Sequence, residues 1–287
     1  MGAYLRISIR SIMITILRLF SSILFLTIAA FLNGEDSSIK LYLKFLEDYP
    51  SFKYVGDLSK NEIKIVLDEI EIKKIQENEY KRLIDKGIEK EIALEWSRPG
   101  LIASDSYLMW IRDPVIFPKG HTGLYKRVIW KCTLHGEHPV AVLPITDDGK
   151  IILVKTWRHA TGSWELELPR GAPSLYEDPF ATALRELKEE TGFKAIDIQQ
   201  IGFVNPDSGV LSTKIAVFVA KGKIEDLPET DEDEIITGSY IFDLPELEDY
   251  LIQGFIEIKE NGTNFKLYLR DPFMTYALYQ AKLRQIL

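Results

Sequence analysis

Hydrophobic and polar positions change their period several times along the chain. From Leu19 to Leu32 the run is apolar apart from Ser21, Ser22 and Thr27, behind a lead whose only charges are Arg6, Arg10 and Arg18. About 14 apolar residues after a basic lead form the pattern of an export signal. Counting back to Ile12 gives about 21, enough to cross a bilayer with Arg18 reaching back to the interface. The expectation for residues 1–33 is therefore a signal or anchor, with membrane contact through residues 12–32. A true start at Met13, or a helix packed on a partner, are the alternatives. A polar break, Asn33 to Ser38, follows. Ile39, Leu41, Tyr42, Phe45 and Leu46 then recur at helical spacing up to Pro50. Ile63 to Leu67 reads as a short strand, and Glu69 to Lys86 as a charged helix with Ile72, Ile75, Tyr80, Leu83 and Ile84 on its apolar stripe. Residues 34–105 are thus a mainly helical extension, and 106–287 the main domain.

From Tyr107 the period drops to two. Strands are expected at 108–111 and 115–117, parted by Asp113-Pro114, and at 125–131. Val140 to Ile145, the Asp147-Asp148-Gly149 turn and Ile151 to Thr156 read as a hairpin. Further strands are expected at 164–168, 198–204, 214–220 and 235–242, with helices at 245–251 and 272–286. One helix stands between the two groups of strands. Asp178 can accept from an early free N–H, Pro179 suits the first helical position, and Gly192 is a left-handed stop, so this helix runs from Pro179 to Thr191. At 100° per residue, Phe180, Leu184 and Leu187 share one arc, and Glu186, Glu189 and Glu190 lie opposite. Like charges three and four apart repel. A divalent cation offsets that repulsion, and hard oxygen ligands with room for water and phosphate suit Mg²⁺ or Mn²⁺.

Composition adds limits. The 287 residues are 46% hydrophobic and 27% charged, an ordinary globular balance. A net charge of −8, from 43 acids against 35 bases, argues against a nucleic-acid binder. It leaves room for a phosphorylated ligand, because a bound metal reverses the local field. A single cysteine, Cys132, excludes an intramolecular disulfide framework. His121, His135, His138 and His159 do not cluster at metal-ligand spacing.

The stretch Gly171 to Phe193, GAPSLYEDPFATALRELKEETGF, resembles the Nudix box, G-x5-E-x7-R-E-U-x-E-E-x-G-U with U apolar. Gly171, Glu177, Arg185, Glu186, Leu187, Glu189, Glu190, Gly192 and Phe193 fill its defined positions. The resemblance implies an α/β (α+β) fold, the Nudix α/β/α sandwich with a mixed sheet. It also implies hydrolysis of a nucleoside diphosphate linked to another group. By position, Glu186 and Glu190 become the main metal ligands and Glu189 ligates a second ion or its water. Glu177 supports the site, Arg185 orients the glutamates, and the main-chain oxygen of Arg170 joins the metal set.

The flanks resemble the ADP-ribose pyrophosphatase branch of the family. Thr156-Trp157-Arg158 and Glu167-Leu168-Pro169-Arg170-Gly171 match its strand arginine and its E-x-P-x-G entry. Arg158, Trp164, Glu167, Arg170 and Pro206 are then substrate-binding candidates. Arg170 stands where the branch usually carries alanine, which points to ADP-containing compounds more broadly. A late acidic loop supplies the general base in this branch, here Glu232 or Glu234. The expected function is Mg²⁺-dependent cleavage of ADP-ribose or a related ADP-sugar to AMP and a sugar phosphate. The alternatives are dinucleoside polyphosphates, NADH or other nucleotide-sugars as substrates, and a non-catalytic nucleotide-binding module. The branch resemblance also implies a homodimer. The location expected is cytoplasmic, or exported and membrane-anchored through the N-terminal segment.

Overall fold

The computed structural model describes residues 35–228, 236–260 and 262–287. The apolar stretch 12–32 and the acidic pair Glu232 and Glu234 lie outside the described residues. No helix among the described residues is long and apolar enough to cross a membrane. The expected membrane contact and the membrane-anchored location are corrected on that finding.

The chain packs as two compact units that divide between Lys131 and Cys132. The described part of the first holds α1 (Glu35–Asp48), β1 (Lys64–Ile65), α2 (Glu69–Asp85), α3 (Lys90–Trp96), β2 (Gly100–Ser104), β3 (Leu108–Ile116) and β4 (Thr122–Trp130). Asp68 caps α2 by accepting from the N–H groups of Ile70 and Glu71. Ile72 and Ile75 of α2 are buried with Ile39 of α1 and Val66, the three-and-four spacing of an amphipathic helix.

β3 is the central strand of this unit's sheet, paired with β4 along one edge and with β1 and β2 along the other. It runs unbroken through Asp113-Pro114, where the sequence suggests a break. Proline lacks an N–H, but the Pro114 carbonyl accepts from Val66 N–H at 2.8 Å. The buried Asp113 carboxylate accepts from Tyr42 Oη at 2.7 Å and from Arg127 Nη2 at 2.8 Å. Those partners offset the desolvation of a charge inside a strand. β3 and β4 pair within this sheet and fall in the first compact unit.

The second unit holds β5 (Val140–Thr146), β6 (Ile151–Arg158), β7 (Ser163–Glu167), β8 (Arg170–Gly171), α4 (Pro179–Thr191), β9 (Phe193–Val204), β10 (Ile215–Ile224), β11 (Ile236–Phe242), α5 (Leu244–Gln253), β12 (Phe255–Glu260), β13 (Thr263–Tyr268) and α6 (Pro272–Leu283). Its sheet follows the order β12-β13-β7-β6-β5-β10-β9, with β11 on β6 and β8 on β5. β10 on β5 and β13 on β7 are parallel pairs and the others antiparallel, so the sheet is mixed.

β5 and β6 share the turn expected of a hairpin, with Thr146 N–H on the Lys150 carbonyl at 2.9 Å. They then part after a single register pair, Ile145 opposite Ile151. β5 continues along β10 and β8, and β6 along β7 and β11. The divergence opens the sheet beside β8. The β12–β13 hairpin is an element to which the sequence reading assigns nothing.

Strand alternation sorts the core. Ala216, Phe218 and Ala220 of β10 pack with Val140, Val142, Ala183 and Leu187 under α4. The intervening Val217 and Val219 are also buried, and α6 packs against β5, β9 and β10. This is the α/β/α sandwich that the resemblance implies.

Candidate active site

The site forms where β8 meets α4. β8 pairs with β5 through Val140 opposite Gly171 and Ala141 opposite Arg170, which brings the first box glycine against the helix. A Cβ at residue 171 would overlap the Glu186 carboxylate, so the close approach requires glycine. At the far end of α4, Gly192 takes φ +67° and donates its N–H to the Lys188 carbonyl, the left-handed stop expected from sequence.

The helix turns a different face inward from the one its apolar residues suggest. Its buried residues are Thr182, Ala183, Glu186, Leu187, Glu190 and Thr191, which span half a turn when projected at 100° per residue. Phe180 and Leu184 of the apolar arc are each 42% exposed, while Glu186 is 5% and Glu190 3% exposed. Buried carboxylates persist only where donors meet them. The backbone N–H of Arg170 donates to Glu190 Oε2 at 3.2 Å, and Arg185 Nη1 donates to Glu186 Oε1 at 2.8 Å.

Arg185 is the hub of the cluster. Nη1 also donates to Glu189 Oε2 at 2.9 Å, Nε to Glu177 Oε1 at 3.1 Å, and Nη2 to Glu177 Oε2 and the Ala172 carbonyl at 3.0 Å each. A planar guanidinium can serve several acceptors at once, which an ammonium cannot do at fixed geometry. Bonding to Arg185 first, and then to the Ser174 N–H, lowers the Glu177 carboxyl from 4.5 to about 2. The same contact with Glu177 pushes the Arg185 guanidinium further up.

The loop leading to Glu177 is held from outside the box. Tyr176 adopts φ +61°, a left-handed conformation that costs a non-glycine residue about 1 kcal/mol or more. Its N–H donates to Oε1 of the buried Glu137 at 2.9 Å, and the second Glu137 oxygen accepts from His135 N–H at 3.1 Å.

A second cluster adjoins β8. Arg158 donates to Glu167 Oε2 from Nε at 2.9 Å and from Nη2 at 2.5 Å. Arg170 Nη2 lies 2.8 Å from the same oxygen. Burial lowers Arg158, but bonding to Glu167 outweighs it and leaves the guanidinium raised. Thus Arg158, Glu167 and Arg170, named separately in the sequence, form one constellation. Trp164 is half-buried, with its ring edge-on to Trp157 at 5.5 Å and the Lys155 ammonium 4.8 Å from its centroid. Its ring is engaged in packing. Pro206 is exposed, and its loop is closed locally by Asp207, which accepts from Gly209 N–H at 2.9 Å.

Two residues with evident roles here escaped the sequence reading, Glu137 and Asp271. Asp271 caps α6 and is buried beside Arg170. Asp271-Pro272 repeats the Asp178-Pro179 helix start, and that was the available signal. Nothing local marks Glu137.

The described residues hold no group of three or more His, Cys, Asp and Glu side chains converged as for a metal ion. Arg185 draws Glu177, Glu186 and Glu189 onto itself instead. The donor set nonetheless fits a hard divalent cation. Glu186 and Glu190 are buried oxygen donors one helical turn apart, and the Glu186 carboxylate fills the space that a Cβ on residue 171 would take.

Residues 137–259 match the family model described as NUDIX domain. The chain is 40% identical over 104 residues to an ADP-ribose pyrophosphatase of Bacillus subtilis, covering 35% of this chain and 56% of that one. It is 37% identical over 128 residues to a methanol dehydrogenase activator of Bacillus methanolicus, covering 43% and 65%. This chain therefore spans between half and two thirds of the length of those relatives. A crystal structure of an ADP compounds hydrolase matches 64% of this chain and 89% of its own, with a TM-score of 0.51 at 23% identity, a likeness of fold. The buried glutamates on α4 and the arginine that gathers them thus lie within the stretch that matches the NUDIX domain.

Proposed function

We propose that the domain hydrolyses the pyrophosphate linkage of an ADP-linked compound, ADP-ribose or a related ADP-sugar, to AMP and a sugar phosphate. Water adds across one P–O bond of the anhydride. Its oxygen joins one phosphorus, the bridging oxygen leaves on the other phosphate, and the proton lost by the water must be accepted. The observation that carries the reading is the placement of Glu186 and Glu190, two carboxylates buried one helical turn apart, with the Glu186 carboxylate seated where a side chain on residue 171 would otherwise stand.

Glu186 and Glu190 would hold a Mg²⁺ or Mn²⁺ ion together with the Arg170 main-chain carbonyl, and Glu189 would ligate a second ion or hold its water. When bound, such an ion polarises the phosphoryl oxygens and lowers the pKa of a coordinated water. The chain's own groups do the rest. Arg185 fixes the glutamates in orientation through Glu177, Glu186 and Glu189. Arg158 and Arg170 supply charge-assisted donors for phosphate oxygens and are preorganised on Glu167. Glu232 or Glu234 accepts the proton from water. The next described residue, Ile236, pairs with Thr156, two positions before Arg158. The ADP-ribose pyrophosphatase of Bacillus subtilis supports the choice of substrate class.

The test is a panel of ADP-ribose, other ADP-sugars, NADH and dinucleoside polyphosphates with Mg²⁺ and with chelator, following AMP release. Mg²⁺-dependent release of AMP, greatest from the ADP-sugars, is expected. Absence of release from every compound removes the proposal, and release confined to dinucleoside polyphosphates replaces its substrate.

A further inference from the structure

The Asp271 side chain is fully enclosed, yet a helix cap needs only one side-chain oxygen, and a neutral serine or threonine provides it. Asp271 uses two. Oδ1 accepts from Phe273 N–H at 3.0 Å, which is the cap. Oδ2 accepts from Leu168 N–H at 3.0 Å, 103 residues earlier in the chain. Arg170 Nη1 lies 3.8 Å from Oδ1, and the Arg170 guanidinium carbon sits 5.3 Å from the Phe273 ring centroid.

The turn so gripped is short and fully determined. Leu168 N–H goes to Asp271, the Pro169 carbonyl accepts from Val142 N–H at 2.9 Å, and Arg170 N–H goes to Glu190 Oε2. The Arg170 side chain is then clamped between Glu167 at 2.8 Å and Asp271. A buried carboxylate carries a large desolvation cost, which a neutral cap would not incur. Burial leaves the Asp271 carboxyl raised, with Arg170 opposing that rise only in part.

We propose that Asp271 is a positioning residue of the hydrolytic site. It fixes the 168–170 turn and the Arg170 guanidinium, and through the Arg170 N–H it fixes the Glu190 carboxylate. The role rests on the hydrolase reading above, but the tie itself does not.

Asp271→Ser keeps an oxygen for the Phe273 N–H and removes the one that reaches Leu168. Amide hydrogen exchange over residues 166–172 of the full chain reads the tie without any activity. Faster exchange at Leu168 and Arg170, with α6 still protected, is expected. ADP binding by calorimetry in chelator, for Asp271→Ser, Arg170→Ala and the double variant, reads the consequence. Each single change weakens binding about ten-fold, and the double is no weaker than Arg170→Ala alone, because one clamp is lost either way. Unchanged exchange, wild-type ADP affinity in Asp271→Ser, or losses that multiply would each overturn the proposal. Should Asp271→Ser not fold, Asp271→Asn keeps the volume and one oxygen and is read by the same two measurements. A wild-type protein inactive on the whole panel removes the hydrolase reading, and exchange still decides the tie.

Discussion

Arg185 grips Glu177 with two nitrogens, Nε on one carboxylate oxygen at 3.1 Å and Nη2 on the other at 3.0 Å. Glu177 lies eight positions before the arginine, so the bond ties the loop from Gly171 down onto α4. The carboxyl falls from 4.5 to about 2 because of it. A depressed carboxyl contributes stability above its unfolded value and loses that contribution as pH falls through the folded value. The window is therefore pH 4.5 down to about 2. With allowance for solvent screening, Glu177 contributes about 1 to 2 kcal/mol at neutral pH. Urea unfolding of wild type and Glu177→Gln should differ by that amount at pH 6, and the gap should narrow below pH 4.5 and close toward pH 2. A gap that stays constant across the range would count against this origin of the shift.

The same arginine also serves Glu186 and Glu189. Arg185→Lys keeps the charge but loses the planar fork, so one ammonium cannot hold three carboxylates in register. The expectation is a fall in kcat of about a hundred-fold, comparable to losing one preorganised electrostatic group. KM should change little, since the substrate phosphates are assigned to Arg158 and Arg170. Steady-state kinetics decide it, and a loss appearing mainly in KM would move Arg185 into substrate binding.

Gly171 faces Glu186 so closely that any Cβ overlaps the carboxylate. Gly171→Ala must push Glu186 aside or pull β8 from β5. Overpacking of this kind costs about 1 to 3 kcal/mol, and displacing the glutamate removes most hydrolysis. Thermal unfolding together with the Mg²⁺ assay should show both losses. A variant with wild-type stability and rate would show that the approach is not tight in solution.

Much of this site was legible because its signals are local. Asp178, Pro179 and Gly192 fix the ends of α4 within a turn of themselves, and the structure places the helix there. Which face of α4 is buried was not legible. The helical projection assumes that acids face water, whereas Glu190 and Glu186 are drawn inward by Arg170 N–H and by Arg185. The same limit applies at Pro114, where Val66 and the partners of Asp113 carry β3 through a residue that locally argues for a break. Asp271 shows both sides. Its cap is readable from Asp271-Pro272, but its second oxygen answers to Leu168, far away in sequence. The β12–β13 hairpin is a different case, since Asn261-Gly262 between alternating strands is a strong turn signal.

Glu190 bears on both the fold and the chemistry, and one substitution separates them. Its Oε2 accepts from Arg170 N–H at 3.2 Å while the residue is 3% exposed. Glu190→Gln keeps the volume and one carbonyl oxygen to meet that N–H, so the turn and helix should persist, with Tm within a few degrees of wild type. It removes the negative charge that a divalent cation requires of this position. Turnover with Mg²⁺ should therefore fall by about a thousand-fold, in the range found when a key electrostatic group is lost. Mg²⁺-induced stabilisation, measured as the shift in Tm on adding the ion, should shrink in parallel. Undiminished turnover, or an unchanged Mg²⁺ shift, would remove Glu190 from the metal set. A large drop in Tm without metal would instead show that the Arg170–Glu190 contact needs the full carboxylate to hold the fold.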